Sequence, residues 1–150
     1  MSPTIPKLSM DLAALSLDHL ADTLTTLKTA NVDELYCFLS DGIAAPLAGG
    51  GPVLIQAAAR LSDIPIHAHV ASEQPGRIVS ALAAAGCKSL TVQIENCPHP
   101  HRVLGQIRDA GMIPGMAIYP GTPPTRLDYL LSLTERIVIF GQEPGVSGPI

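Results

Sequence analysis

The sequence predicts an α/β protein of the (β/α)8 TIM-barrel type, incomplete, with about six parallel strands and intervening helices. Short β-prone runs alternate at an even pitch with segments of helical periodicity, and strands separated by helices pair in parallel. Of the 150 residues, 47% are hydrophobic and only 15% are charged, a balance that excludes a disordered chain. Aromatic residues make up 3%, so we expect a core of small aliphatic side chains packed between helices and a sheet.

The elements follow one another in a regular order. The strands are predicted at residues 7–12, 34–39, 65–70, 89–94, 113–119 and 136–140. The helices are predicted from Ser16, from Pro52 to Leu61, and at 78–85, 100–110 and 123–133. Ser16 is a candidate N-cap, and Gly86 and Gly111 are suited to left-handed caps. An open nucleotide-binding sheet is the competing architecture, but residues 13–16 after the first strand are not the Gly-rich turn that it favours.

Charge and cysteine content exclude several classes of protein. A net charge of −4 without a Lys/Arg run argues against a nucleic-acid binder. The uncharged stretch 42–59 is interrupted by Pro46, three glycines and Pro52, so we expect a loop and a helix there, with no membrane partner. Three cysteines without C-x-x-C spacing indicate a reducing compartment, and the first residues do not resemble a signal peptide. We therefore expect a cytoplasmic protein.

Polar side chains recur at two-residue spacing near the ends of the predicted strands. Such spacing places them on one face, opposite an aliphatic face that would pack under helices. The polar members are Tyr36 and Ser40 on the second strand, His67 and His69 on the third, and Gln93 and Glu95 on the fourth. The carboxyl ends of parallel strands are where α/β proteins bind ligands, so the sequence predicts a site there.

The His67-x-His69 pair admits two interpretations. Two imidazoles on one strand face could both reach a metal ion. They could equally be hydrogen-bonded members of a polar interior layer, without any ligand.

Longer segments carry a resemblance to a known family. They are Ile-Pro-Ile-His-Ala-His-Val at 64–70, Ser-Leu-Thr-Val-Gln-Ile-Glu at 89–95, Gly-Met-Ile-Pro-Gly-Met-Ala-Ile-Tyr-Pro-Gly-Thr-Pro at 111–123 and Pro-Gly-Val-Ser-Gly at 144–148. In order and spacing they resemble the third to sixth strands and following turns of ribulose-phosphate 3-epimerases. The resemblance implies one ribulose-phosphate-binding barrel domain over residues 1–150, truncated after the sixth strand.

The resemblance also implies an activity in pentose phosphate carbohydrate metabolism. The family interconverts D-ribulose 5-phosphate and D-xylulose 5-phosphate by proton transfer beside a carbonyl, with a divalent metal (Zn, Fe, Mn or Co) as Lewis acid. The family's ligands and acid/base groups include a His and an Asp on strand two, and these positions are Tyr36 and Phe38 here. The strand-three His ligand is matched by His69, and His67 stands where the family usually has Asp.

The resemblance leaves a candidate set for each role. We expect Asp11, His67 and Glu95 as acid/base groups and His69, with or without His67, as the metal ligand. Phosphate binding is expected at Gly145, Val146, Ser147 and Gly148. The predicted function is that of a sugar-phosphate epimerase or isomerase, with the usual catalytic Asp replaced by Phe38. The alternative is a non-catalytic sugar-phosphate-binding or assembly module. Unpaired strand edges at both ends of the sheet predict a homo-oligomer.

Overall fold

Six parallel strands form one sheet in chain order. The computed structural model describes residues 5–43, 45 and 48–142. The strands are β1 (Ser9–Asp11), β2 (Glu34–Ser40), β3 (Ile66–Ala71), β4 (Ser89–Gln93), β5 (Ile113–Ile118) and β6 (Arg136–Ile139), each hydrogen-bonded to the next. Their bounds confirm the predicted strands to within two residues at every end.

Within the described ranges, four α-helices connect these strands. They are α1 (Leu20–Thr29), α2 (Gly51–Leu61), α3 (Val79–Ala84) and α4 (Pro100–Asp109). Pro52 lies in the first turn of α2, where its missing N–H is not needed. Gly86 and Gly111 follow α3 and α4 with φ of 99° and 80°, which confirms the predicted left-handed caps.

Two predicted helices differ in the structure. The first α-helix begins at Leu20, because a separate 3₁₀ turn, Leu17–His19, precedes it and Ser16 makes no side-chain capping bond. The last predicted helix is a 3₁₀ segment, Pro124–Leu133. Its apolar residues Leu127, Leu130 and Leu133 recur every third position, which matches three residues per turn rather than 3.6.

The apolar core lies between the sheet and the helices. The aliphatic face of β2 is buried against them, with Leu35 fully inaccessible. Each helix contributes at least one buried aliphatic residue to this layer: Leu24 from α1, Ile55 from α2, Leu82 from α3 and Leu104 from α4. The polar residues therefore lie on the opposite face of the sheet, which the helices do not cover.

The sheet curls into a half-barrel around that polar face. Arg136 of β6 donates to both carboxylate oxygens of Glu34 on β2, at 2.8 and 2.6 Å. Beyond the end of β6, the ring of Phe140 lies 6.3 Å from that of Phe38 on β2. Strands that are fourth neighbours in the sheet can touch only if their shared face is strongly concave.

None of the helices within the described residues combines the length and apolar character needed to cross a bilayer.

Candidate functional site

A line of hydrogen bonds crosses the concave face from β2 to the end of β4. The Tyr36 hydroxyl donates to Nδ1 of His69 at 2.7 Å. Oε1 of Gln93 can only accept, so Nε2 of His69 carries the ring proton and donates to it at 3.0 Å, which leaves Nδ1 to accept from Tyr36. The Gln93 amide nitrogen then donates to Oε2 of Glu95 in a short hydrogen bond. Every donor along this line thus points towards Glu95.

Glu95 ends this line at the carboxyl end of the sheet. It follows β4 in a 3₁₀ turn, Ile94–Asn96, rather than on the strand itself. Its Oε1 accepts the backbone N–H of Tyr119, which follows β5, at 3.0 Å. The carboxylate is therefore held by donors from two neighbouring strands, and it is the one anionic group in the line.

Burial fixes the protonation of the central groups. His69 is fully inaccessible, and burial together with the nearby His67 lowers its pKa to about 3 against an opposing hydrogen bond to Gln93. Burial also raises the pKa of Tyr36, and the Asp11 carboxylate raises it further. At neutral pH, His69 is an uncharged imidazole and Tyr36 keeps its proton.

An aromatic layer covers His69 at the carboxyl ends of the strands. The Phe38 ring lies 5.1 Å from the His69 ring in an edge-on arrangement. Phe140 lies 5.2 Å from His69 and 5.5 Å from Tyr119. These rings separate His69 from solvent and account for its burial.

His67 belongs to a second cluster, nearer the amino ends of the strands. Its Nε2 pairs with Oγ1 of Thr91 at 2.7 Å, and its Nδ1 lies in a short hydrogen bond with Arg136. Oε1 of Glu34 is 3.5 Å from the same Nδ1. Burial opposes ionisation of Glu34, but the neighbouring His67 and the hydrogen bonds from Arg136 outweigh it and lower the pKa of the carboxyl to about 2. Burial lowers the pKa of His67.

The three predicted acid/base residues, Asp11, Glu95 and His67, lie in different parts of the concave face. Asp11 ends β1 half-buried, pairs in register with Tyr36, and accepts the N–H of Ala13 at 2.9 Å. Glu95 is half-buried at the rim, whereas His67 is 2% exposed with both ring nitrogens engaged. No hydrogen bond between described residues joins any two of the three. The predicted phosphate-binding residues Gly145, Val146, Ser147 and Gly148 lie outside the described residues.

Comparison of the sequence with known proteins places the chain in a family. The sequence profile of the ribulose-phosphate 3 epimerase family matches residues 7–149. The chain belongs to the ribulose-phosphate 3-epimerase family. It is 28% identical over 148 residues to the ribulose-phosphate 3-epimerase of Bacillus subtilis (strain 168), covering 99% of this chain and 65% of that protein. It is 30% identical to the Synechocystis enzyme, covering 87% of this chain and 57% of that protein. The chain thus spans about two thirds or less of these relatives.

Solved structures agree on the fold. Two mutant tryptophan synthase α-subunits from Pyrococcus furiosus superpose with TM-scores of 0.62 and 0.61, each at 19% sequence identity. The first match covers 92% of this chain and 68% of that subunit, and the second covers 89% and 65%. At this identity the likeness concerns the fold alone, and it confirms the prediction of an incomplete barrel of the TIM type.

The described residues do not fit the divalent metal that family membership implies. Both ring nitrogens of His69 are committed to hydrogen bonds, so no lone pair faces the interior. Phe38 offers no ligand atom, and Tyr36 directs its proton at His69. Nowhere in the described part of the chain do three or more His, Cys, Asp or Glu side chains converge in a way that could hold a metal ion. His69 is accordingly a hydrogen-bonding residue in this member of the epimerase family.

Two residues of the interior were not identified from the sequence. Glu34 and Arg136 open their strands and are 102 positions apart in the chain. Each alone is typical of a solvated strand end. The sequence does show that Glu34 and Arg136 carry opposite charges at the first position of their strands. Their pairing could be predicted only if the curvature of the sheet were known.

Proposed function

We propose that this chain carries a sugar-phosphate epimerase or isomerase site in which Glu95 and Asp11 are the acid/base pair. The observation that supports this most is the Glu95 carboxylate, which lies at the carboxyl end of β4 and is oriented by Gln93 and the Tyr119 N–H. Asp11 ends β1, on the far side of Tyr36. The two carboxylates therefore stand at opposite ends of the Tyr36–His69–Gln93 line, and a reaction on two faces of one carbon needs two acid/base groups.

The proposed reaction is a proton relocation at the carbon beside the carbonyl of a pentulose 5-phosphate. One carboxylate removes the proton, the electron pair moves to the carbonyl oxygen to form an enediolate, and the other carboxylic acid returns a proton to the opposite face. No oxidant or second substrate is consumed. Tyr36, His69 and Gln93 keep their protons during the reaction. They orient the Glu95 carboxylate through the line of hydrogen bonds and so act as positioning residues.

No step of this proposal passes through a metal ion at His69. Binding Zn, Fe, Mn or Co there would require His69 to give up the bond from Tyr36 or the fully buried bond to Gln93. The phosphate of the substrate is assigned, from the family resemblance, to backbone N–H groups of residues 145–148.

The test is exchange of the substrate's carbon-bound hydrogen in deuterated water. With D-ribulose 5-phosphate and no added metal, we expect deuterium incorporation at carbon 3 and formation of D-xylulose 5-phosphate, both followed by NMR. Glu95→Gln should slow the exchange by about 100-fold or more, since it removes one general base. Asp109→Asn, at the exposed end of α4, is the matched control and should leave the rate unchanged. Equal rates in Glu95→Gln and the unmodified chain would contradict the assignment.

A non-catalytic sugar-phosphate-binding module is the second candidate. It is favoured by the apolar contact of Phe38 with His69 and Phe140, which occupies the position where the family carries a catalytic Asp. Calorimetric binding of D-ribulose 5-phosphate without any deuterium exchange would select this candidate over the enzyme.

We further propose that the chain is cytoplasmic and self-associates. Its three cysteines, Cys37, Cys87 and Cys97, are buried free thiols, in keeping with a reducing compartment. Among the described strands, β1 and β6 are the edges of the sheet. Open edges favour pairing with another copy.

A further inference from the structure

A large cleft opens beside Glu95 on the outer side of the carboxyl ends of the strands. Its volume is about 980 Å³, at the upper end of the range of about 300–1,000 Å³ typical of small-molecule sites. Its walls are the segment after β3, the start of α4 and the 3₁₀ segment Pro124–Leu133.

Three guanidinium groups line this cleft from three separate elements. Arg77 ends the 3₁₀ turn Pro75–Arg77, Arg102 lies in the first turn of α4, and Arg126 lies in Pro124–Leu133. All three are exposed, and among the described residues none of them has an ion-pair or hydrogen-bond partner. By contrast, Arg108 donates to the carbonyl oxygen of Leu133, at 3.0 Å.

The cleft carries a cluster of positive charge, although the net charge of the whole chain is −4. Two carboxylates also line the cleft, Glu73 and Glu95. That of Glu95 already accepts from Gln93 and from the Tyr119 N–H. Three cations thus face one uncommitted carboxylate, an arrangement that attracts anions.

The amino end of α4 adds to this potential. The helix begins at Pro100, and His99 at its N-cap makes no side-chain capping bond. His99 and Pro100 both line the cleft, so the positive end of the helix dipole opens into it. The amino end of α4 and the three arginines therefore line the same cleft.

We propose that the three arginines of this cleft bind a phosphorylated small molecule. Guanidinium forks match the paired oxygens of a phosphate group, and three forks from three elements suit a ligand with more than one anionic oxygen pair. Glu95 lines the cleft as well as ending the Tyr36–Glu95 line, but Arg77, Arg102 and Arg126 take no part in the proposed proton transfer.

Inorganic pyrophosphate is the probe, titrated by calorimetry at low ionic strength. We expect binding that weakens as salt is added. Arg102→Gln should weaken it by about tenfold, the loss of one charge-assisted contact. Arg77→Gln combined with Arg126→Gln should weaken it further. Arg60→Gln, an exposed arginine on α2 outside the cleft, is the matched control and should change the affinity less than twofold.

Amide NMR locates the bound probe and separates this site from the proposed substrate site. Pyrophosphate should shift the N–H signals of His101 and Arg102, and the shifts should persist in Glu95→Gln. Absence of binding at millimolar pyrophosphate, equal losses in Arg60→Gln and Arg102→Gln, or shifts confined to residues 145–148 would overturn the proposal. Circular dichroism on each variant establishes that it is folded.

Discussion

His69 shows how a single residue can change role within a family of barrels. One ring nitrogen accepts from Tyr36 and the other donates to Gln93, at 2.7 and 3.0 Å. Both partners are uncharged, so they stabilise the neutral ring and leave no lone pair for a metal ion. The neighbouring Phe38 supplies an apolar contact where a carboxylate would favour the imidazolium. The chemistry of the interior therefore depends on the partners of His69 rather than on His69 itself.

The buried imidazole predicts a loss of stability in acid. Folding lowers the pKa of His69 from 6.5 to about 3. Below pH 6.5, His69 therefore binds a proton in the unfolded chain but not in the folded chain. The free energy of unfolding should fall by about 2 kcal/mol between pH 7 and pH 4.5 from this group alone. Glu34, lowered from 4.5 to about 2, adds a further loss as the pH falls between those values.

Urea titrations followed by circular dichroism measure this dependence, since the chain has no Trp. His69→Asn should flatten the slope between pH 6.5 and pH 5, whereas His101→Asn, on the exposed face of α4, should leave it unchanged. An unchanged slope in His69→Asn would contradict the placement of His69 as a buried neutral ring.

At the scale of elements, Gly115 of β5 lies against side chains of both neighbouring strands. A Cβ at this position would come well within 3.0 Å of Oγ1 of Thr91 on β4 and 3.3 Å from Cβ of Arg136 on β6. Thr91 also holds His67. The absence of a side chain at Gly115 is therefore what lets β4 and β6 bring their polar residues together.

Gly115→Ala should consequently destabilise the fold by about 2 kcal/mol through overpacking. Gly105→Ala is the control, because Gly105 lies inside α4 with no atom within 4 Å of its would-be Cβ. There the gain in helix propensity should stabilise the fold by up to about 1 kcal/mol. The midpoints of thermal unfolding of the two variants measure this difference. Equal midpoints would show that Gly115 has room for a side chain.

The elements themselves were largely predictable from local pattern. Short β-prone runs placed all six strands, and Gly86 and Gly111 placed two helix ends. The 3₁₀ form of Pro124–Leu133 was not foreseen, although the three-residue spacing of its leucines is visible in the sequence. The alternation of side chains along the strands correctly placed Tyr36, His69 and Gln93 on the inner face of the sheet. It could not predict which of them bond to one another, because that depends on the relative stagger of neighbouring strands.

At the scale of the whole molecule, the concave face is closed by contacts between distant strands. The Glu34–Arg136 pair joins β2 to β6, and Phe140 reaches Phe38. Neither contact could be predicted from local sequence, because each depends on the curvature of the complete sheet. The outer face of β6, in contrast, leaves Ile137 and Ile139 exposed at 44% and 71%.

An edge strand with two exposed isoleucines predicts self-association. The chain should run above its monomer mass of 15.7 kDa in size-exclusion chromatography with light scattering. Ile139→Lys should shift it to the monomer. Val53→Lys, at an equally exposed position on α2, should not. A wild-type chain that stays monomeric at high micromolar concentration would contradict the prediction.

Nitrogen NMR of the His69 ring tests whether it is a neutral imidazole fixed between Tyr36 and Gln93. We expect a single protonated nitrogen, Nε2, with chemical shifts that stay constant from pH 8 down to pH 5. Tyr36→Phe should perturb the Nδ1 signal alone. A His69 ring that titrates near its ordinary pKa of 6.5, or that shifts on addition of Zn²⁺, would contradict it.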